Sequence, residues 1–168
     1  MEDLIYCQRD IPKQQWRYGF RSSAATGCGW IATYNALRLL GYHPEPEKLI
    51  KAFEWQFPLV HGNAGTMILA PAMFLKRRGF QVEYLSRHDR FDAVAKQSDV
   101  CILFYHWRSK WKLGAHFVAV QHTPEGFVGY NTYRNSKGPD WYGESLVGFL
   151  KEKQYFGAVL IGIRDRKN

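Results

Sequence analysis

Three residue types that cooperate in nucleophilic catalysis, Cys28, His116 and Asn131, occur in this order in a sequence of 168 residues. A cysteine attacks a carbonyl carbon, an imidazole takes and later returns the proton, and a side-chain amide fixes the tautomer of the imidazole. Each residue also has an ordinary structural alternative: a small buried thiol, a histidine at a strand end and a turn asparagine. Their order and their predicted placement together favour the catalytic interpretation.

Cys28 lies in the segment TGCGWIA at residues 26–32, where a glycine on each side favours a tight turn. Over residues 30–40 apolar side chains recur at helical spacing, and Gly41 is a typical helix end. The pattern therefore predicts that Cys28 lies in the first turn of a helix. Unpaired backbone N–H groups and the positive end of the helix dipole favour the thiolate there.

His116 and Asn131 fall at the ends of two predicted strands. The segment GAHFVAV at residues 114–120 predicts a strand that opens on His116, and FVGYN at residues 127–131 predicts its partner after a Pro-Glu-Gly turn. In an antiparallel hairpin, the start of one strand and the end of the next lie at the same edge. We therefore expect His116 to be the base for Cys28, and Asn131 to orient its ring.

These segments resemble motifs of the papain-like cysteine peptidases: Thr-Gly-Cys-Gly-Trp opening a helix, Gly-Ala-His-Phe-Val-Ala-Val, and Gly-Tyr-Asn-Thr-Tyr closing the next strand. The chain is most similar to the small bacterial branch that includes the double-glycine leader peptidases, from about residue 8 to residue 163. The resemblance implies that Cys28 is the nucleophile, His116 the general base and Asn131 the third member. It also implies a peptide or amide substrate and no cofactor.

The family places a glutamine about six residues before the nucleophile, where it donates to the oxyanion, but this sequence has Ser22 there. By resemblance, the backbone N–H of Cys28 is one donor. The second donor is left open among the hydroxyls of Ser22 and Ser23 and the amide of Gln15. Losing one oxyanion donor typically costs about 10²- to 10³-fold in rate. A weak second donor would also suit a chain that keeps the fold without the peptidase rate.

The substrate cleft of such a protein lies where the cysteine helix meets the sheet. In the resembled family a Gly-rich loop before the second large helix flanks the substrate. Ala115, directly before His116, is small enough to leave room for a substrate backbone. For Trp30 a place in the core is an equally good interpretation. The residues expected to contact substrate are Trp30, Asn63, Gly65, Thr66 and Ala115.

Periodicity and turn residues predict the remaining elements. We expect helices at about residues 48–53, 66–75, 91–96 and 144–153, the second capped by Thr66, and strands at 80–85, 99–107 and 156–163. Helices thus come first and strands later, which predicts an α+β fold of papain-like type, with an N-terminal helical part packed on a mostly antiparallel sheet. No repeat or linker is visible, so residues 1–168 are expected to form a single domain.

Cysteine spacing and hydropathy limit the other classes. Cysteines at positions 7, 28 and 101 cannot all pair, and the sequence has no CxxC motif or short Cys–His cluster, so no metal is expected. The beginning of the chain has no apolar stretch of signal-peptide length. Nor does any stretch approach the roughly 20 apolar residues that cross a bilayer. We therefore expect a cytoplasmic protein without membrane insertion.

The formal net charge is +8, and the segment WRSKWK at residues 107–112 alternates aromatic and cationic side chains. This pattern is typical of surfaces that stack bases and neutralise phosphates. It equally suits a loop that binds an acidic peptide, or a solvated hairpin. Nucleic-acid binding is therefore the minority interpretation.

The function that the sequence favours is a cysteine-dependent hydrolase, a peptidase or amidase that forms a thioester intermediate. An acyltransferase on the same fold would use identical residues. The competing class is a catalytically inactive binding module, whose basic aromatic surface holds a peptide or nucleic acid. The sequence specifies neither the substrate nor the oligomeric state.

Overall fold

A six-stranded sheet forms the centre of the computed structural model. Every described strand pairing in this sheet is antiparallel. The structure describes residues 4–56 and 66–166. The strands are β1 (Arg17–Tyr18), β2 (Arg21–Ser22), β3 (Gln81–Leu85), β4 (Val100–Ser109), β5 (Lys112–Thr123), β6 (Gly126–Tyr130), β7 (Asp140–Gly143) and β8 (Phe156–Arg164). Strands β1 and β2 form a separate two-stranded pair, and the large sheet has the order β3-β8-β4-β5-β6-β7. The expected antiparallel α+β fold is confirmed at this level.

The helices occur in both halves of the chain. They are α1 (Ser23–Thr26), α2 (Cys28–Leu39), α3 (Pro46–Gln56), α4 (Ala70–Arg77), α5 (Phe91–Lys96) and α6 (Leu146–Glu152). Only Gly27 separates α1 from α2. The predicted end of α2 is confirmed, because Gly41 has a φ of +83°, a backbone conformation that glycine adopts without strain.

Helices cover both faces of the sheet. Alternate residues of β4 enter two hydrophobic cores: Ile102 and Phe104 pack with residues of α2, α3 and α4, whereas Leu103 and Tyr105 pack with residues of α5 and α6. Because both faces of this strand are buried, its sequence is a continuous apolar run instead of an alternating one. The predicted N-terminal helical part is therefore one of two helical layers.

The strand that contains His116 begins earlier than predicted. It starts at Lys112 and continues the hairpin with β4 to the pair Ser109 and Lys112, so the prediction that His116 opens the strand is wrong. The turn between these strands consists of Lys110 and Trp111, which lack the glycine or proline that marks most hairpin turns. His116 therefore lies inside a long β-hairpin, four residues after the first residue of β5.

Thr66 is not the N-cap of the following helix. Helix α4 begins at Ala70, with a proline in its first turn. The hydroxyl of Thr66 donates to the hydroxyl oxygen of Tyr18 at 3.1 Å, and the Thr66 side chain packs against the backbone of Gly29. Its partners are thus in distant segments, so the local capping signal was misleading.

The strand β7 was not predicted at all.

The contact between Gly29 and Thr66 fixes the start of α2 beside the segment that precedes α4. A Cβ atom on Gly29 would lie 2.5 Å from Thr66 Oγ1, closer than van der Waals contact allows. We expect Gly29→Ala to lower the free energy of unfolding by about 1–3 kcal/mol, as overpacking does, although alanine is the better helix former. Urea unfolding measures this change. The matched control is Gly138→Ala, because Gly138 has open space around it. Equal stability of the two variants would contradict the close contact between Gly29 and Thr66.

Candidate active site

A cleft of about 740 Å³ opens beside the β4–β5 hairpin, and His116 is one of its walls. The N-terminal turn with Gln8, the helix α1 with Ala24, and the loop that follows β6 at Asn131 supply the others. Ala115 also lines the cleft and is exposed, the position that the sequence suggested for a residue in contact with substrate. The cleft thus brings together chain segments that are more than 100 residues apart in sequence.

The imidazole of His116 is held in one tautomer by a backbone group. Its Nε2 atom lies 2.6 Å from the carbonyl oxygen of Asn131. Because a carbonyl oxygen only accepts hydrogen bonds, Nε2 must donate, and Nδ1 of the neutral ring has the lone pair. Burial lowers the pKa of His116, with the bond to Asn131 opposing this shift. The ring is therefore neutral near pH 7 and has Nδ1 as its basic atom.

Asn131 orients His116 through its main chain. Its φ of +67° lies in the left-handed region, which asparagine tolerates better than most residues. The side chain of Asn131 is occupied elsewhere: Oδ1 accepts from the Gln8 backbone N–H at 2.7 Å, and Nδ2 donates to Gln8 Oε1 at 3.3 Å. The asparagine is thus beside the histidine as expected, but its side-chain amide holds the N-terminal turn.

Gln8 is a residue of the site that the sequence reasoning missed. Besides its two bonds with Asn131, its Nε2 donates to the carbonyl oxygen of Ala24 at 3.2 Å. It also lines the cleft. No local signal distinguishes Gln8 from the glutamines nearer to Cys28, because its partners are 16 and 123 residues away.

The thiol of Cys28 is protonated in the resting site. Burial raises its pKa, and the backbone N–H groups of Phe117, Gly29 and Cys28 itself lower it without compensating. Since α1 precedes α2 almost directly, Cys28 does not begin an isolated helix, which weakens the helix-dipole effect that the sequence suggested. The resting pair is therefore a neutral thiol and a neutral imidazole.

The Cys28 sulfur lies beside β5, at the residue that follows His116 in the chain. The N–H of Phe117, which acts on the Cys28 sulfur, belongs to the residue that directly follows His116. Among the described residues no hydrogen bond joins the thiol to the imidazole, and Cys28 is not one of the residues that line the cleft. The sulfur is partly buried at the edge of the core around α2.

The three oxyanion candidates from the sequence lie in different surroundings. The Ser23 hydroxyl is buried and accepts a hydrogen bond from Trp30 Nε1 at 3.1 Å. Ser22 is half-buried in the β1–β2 pair, opposite Arg17. Gln15 is exposed and lines a different cavity, formed by residues near the N-terminus. None of the three lines the cleft that contains His116.

The residues that were expected to contact substrate do not lie together at the cleft. Trp30 is 0% exposed and forms edge-to-face contacts with Trp16 and Tyr34, so its ring belongs to the core. Thr66 is buried against Gly29, next to Cys28 in the chain. Asn63 and Gly65 lie outside the described residues.

Within residues 4–56 and 66–166, no group of His, Cys, Asp and Glu side chains is placed to hold a metal ion. In the same part of the chain no helix has the length and apolar character needed to span a membrane. No family model matches the sequence, and no curated protein matches it significantly.

The role of the Asn131 main chain is testable because glycine keeps the carbonyl group and tolerates positive φ. We expect Asn131→Gly to lose the two side-chain bonds to Gln8, at about 1 kcal/mol each, while His116 keeps its Nε2–H bond. Asn131→Val has the same loss plus about 1–2 kcal/mol for a left-handed backbone. Urea unfolding measures stability, and ¹⁵N NMR of the imidazole reports the tautomer. Loss of the Nε2–H tautomer in Asn131→Gly would assign the orienting role to the side chain instead.

The protonation state of Cys28 predicts its reactivity. Because iodoacetamide reacts with thiolates, we expect Cys28 at pH 7 to be alkylated more slowly in the folded protein than in the urea-unfolded chain. Because its pKa lies above the ordinary thiol value of 9.0, its rate should still increase above pH 9.0, where the rate of an unperturbed thiol levels off. Cys101, whose pKa burial raises to about 12, is the internal control and should react more slowly still. Peptide mapping by mass spectrometry separates the sites. Faster alkylation of Cys28 in the folded protein would show a resting thiolate.

Proposed function

We propose that the protein is a papain-like cysteine hydrolase that cleaves a peptide or amide bond. The main support is the fixed tautomer of His116: the Asn131 carbonyl accepts from Nε2–H, which leaves Nδ1 as a base in the cleft, while the Cys28 sulfur lies beside the backbone of Phe117, the next residue of the same strand. The order of the elements adds support, because a helix beginning at the cysteine packs on the strand of the histidine, as in the family that the motifs resemble.

The proposed reaction begins with a neutral pair. As the Cys28 sulfur attacks the amide carbon, His116 Nδ1 takes the thiol proton, and a C–S bond forms. The tetrahedral intermediate then breaks its C–N bond, and the imidazolium gives the proton to the leaving amine. A water molecule, deprotonated by the same nitrogen, attacks the thioester. The second tetrahedral intermediate breaks its C–S bond, the acid product leaves, and the imidazolium returns the proton to the sulfur.

In this proposal the oxyanion is stabilised by the Cys28 backbone N–H and by Gln8. The amide of Gln8 has two N–H groups, and one of them donates to Ala24. The other is available to a ligand in the cleft that Gln8 lines. Gln8 thereby supplies the glutamine amide that the resembled family has about six residues before its nucleophile.

A covalent intermediate is the direct test. Incubation with a pool of short peptides, acid quenching and intact-mass analysis should reveal an acyl group on Cys28 of the native protein. We expect Cys28→Ala and His116→Gln to show no adduct and to lose at least about 10³-fold of the hydrolysis rate, as triad deletions do. The matched control is Cys101→Ala, which removes another buried thiol and should retain the activity. Equal hydrolysis by Cys28→Ala and native protein would exclude the proposal.

A non-catalytic binding module is the second candidate, and the raised pKa of Cys28 together with its absence from the cleft lining favours it. In that case Cys28→Ala would bind ligands as the native protein does, and no acyl adduct would form with any peptide. Its affinity for a polyanion would fall steeply as salt is added. These outcomes separate the two candidates.

A further inference from the structure

The charged side chains that line the cleft are all cationic. Arg9, Lys112 and Arg134 line it, and no Asp or Glu is among the described lining residues. All three cations are exposed, and none of them forms an ion pair or a side-chain hydrogen bond with a described residue. The other described lysines and arginines do not line the cleft.

The backbone holds these cations around His116. Arg9 and Arg134 belong to two segments that are tied together: Cys7 Sγ donates to the Arg134 carbonyl oxygen at 3.0 Å. Lys112 lies four residues before His116 in β5, on the same side of the strand. At about 3.3 Å per residue, this spacing puts Lys112 roughly 13 Å from the base along the strand. An extended peptide covers the same distance in about four residues.

We propose that the cleft selects acidic peptides, with Arg9, Lys112 and Arg134 binding carboxylates on residues that flank the scissile amide. This inference rests on the proposed function for the bond that is cleaved, but the recognition of the anionic flanks is independent of cleavage. Arginine donates two parallel hydrogen bonds to a carboxylate, and lysine acts as a point charge. The three cations therefore determine specificity, whereas Cys28 and His116 perform the chemistry.

Three of the four aromatic side chains that line the cleft pack against other parts of the protein, which favours a peptide over a single-stranded nucleic acid. Base stacking requires ring faces that are open to the ligand. Tyr105 is 2% exposed and stacks on Tyr155, with ring centroids 4.3 Å apart and an interplanar angle of 10°. The Trp107 ring lies directly over Gly114, where an added Cβ would be 2.2 Å from it. The cleft therefore offers cations, but these rings already have partners within the protein.

Two pools of fluorescence-quenched peptides test the inference. Both have a randomised centre, and their flanking residues are Glu in one pool and Gln in the other. We expect the native protein to cleave the Glu pool with a kcat/KM about tenfold higher, the combined effect of a few exposed ion pairs. The preference should shrink near 1 M salt, where the Debye length is about 3 Å. The double variant Arg9→Glu/Arg134→Glu should lose it, while Lys13→Glu/Lys51→Glu, with the same change of net charge outside the cleft, should keep it.

Binding of the same pools to Cys28→Ala, measured by fluorescence anisotropy, separates this inference from the proposed hydrolysis. Tighter binding of the Glu pool without cleavage by the native protein would support the acidic-peptide site and overturn the hydrolase. Equal binding and cleavage of both pools would overturn the acidic-peptide site and leave the hydrolase standing. Stronger competition by oligo(dT) than by the Glu pool would assign the cations to a nucleic acid and also overturn the inference.

Discussion

The left-handed backbone of Asn131 is the constraint on which the candidate site depends. Pairing between β5 and β6 stops at Tyr130, and at the next residue the chain turns so that a carbonyl group reaches the imidazole of His116. The same residue uses its side chain to bind the main chain and side chain of Gln8. One conformational feature thus fixes the tautomer of the proposed base and attaches the N-terminal turn that completes the cleft. Both effects use the same backbone conformation, but the bond to His116 comes from the main chain and the bonds to Gln8 come from the side chain.

Burial decides the protonation of the two proposed reacting groups. Removing either group from water disfavours its charged form, which raises the pKa of Cys28 and lowers that of His116. Both shifts favour the neutral pair over the thiolate–imidazolium pair. The backbone N–H groups near the sulfur act in the opposite direction, and they would stabilise the negative charge that develops during attack. In the proposed reaction, this arrangement would keep the thiol protonated until a substrate carbonyl receives the electron pair.

Local patterns predicted much of the fold and less of the site. The helix after Cys28, the helix α5 at residues 91–96 and the final strand followed from periodicity, which depends on near neighbours. The closeness of His116 and Asn131 followed from the hairpin register. The bonds from Asn131 to Gln8 did not, because they join residues 123 positions apart and leave no trace in spacing. At Thr66 the local pattern predicted a helix cap, but in the structure the Thr66 hydroxyl binds Tyr18 in β1 instead.

The start of β5 at Lys112, four residues before His116, has a consequence for the cleft. A strand that opened on His116 would leave the base at the rim of the sheet, exposed to water on one side. Instead the hairpin continues to Ser109 and Lys112, so the cleft gains a wall that extends beyond the base and ends in a cation. A concave surface of one charge concentrates field lines and raises the local concentration of oppositely charged ligands. The same extension therefore places a cation in the wall of the cleft that contains His116, whose ring is kept neutral by burial. One long strand thus carries both a charge at the rim of the cleft and the neutral ring of the proposed base.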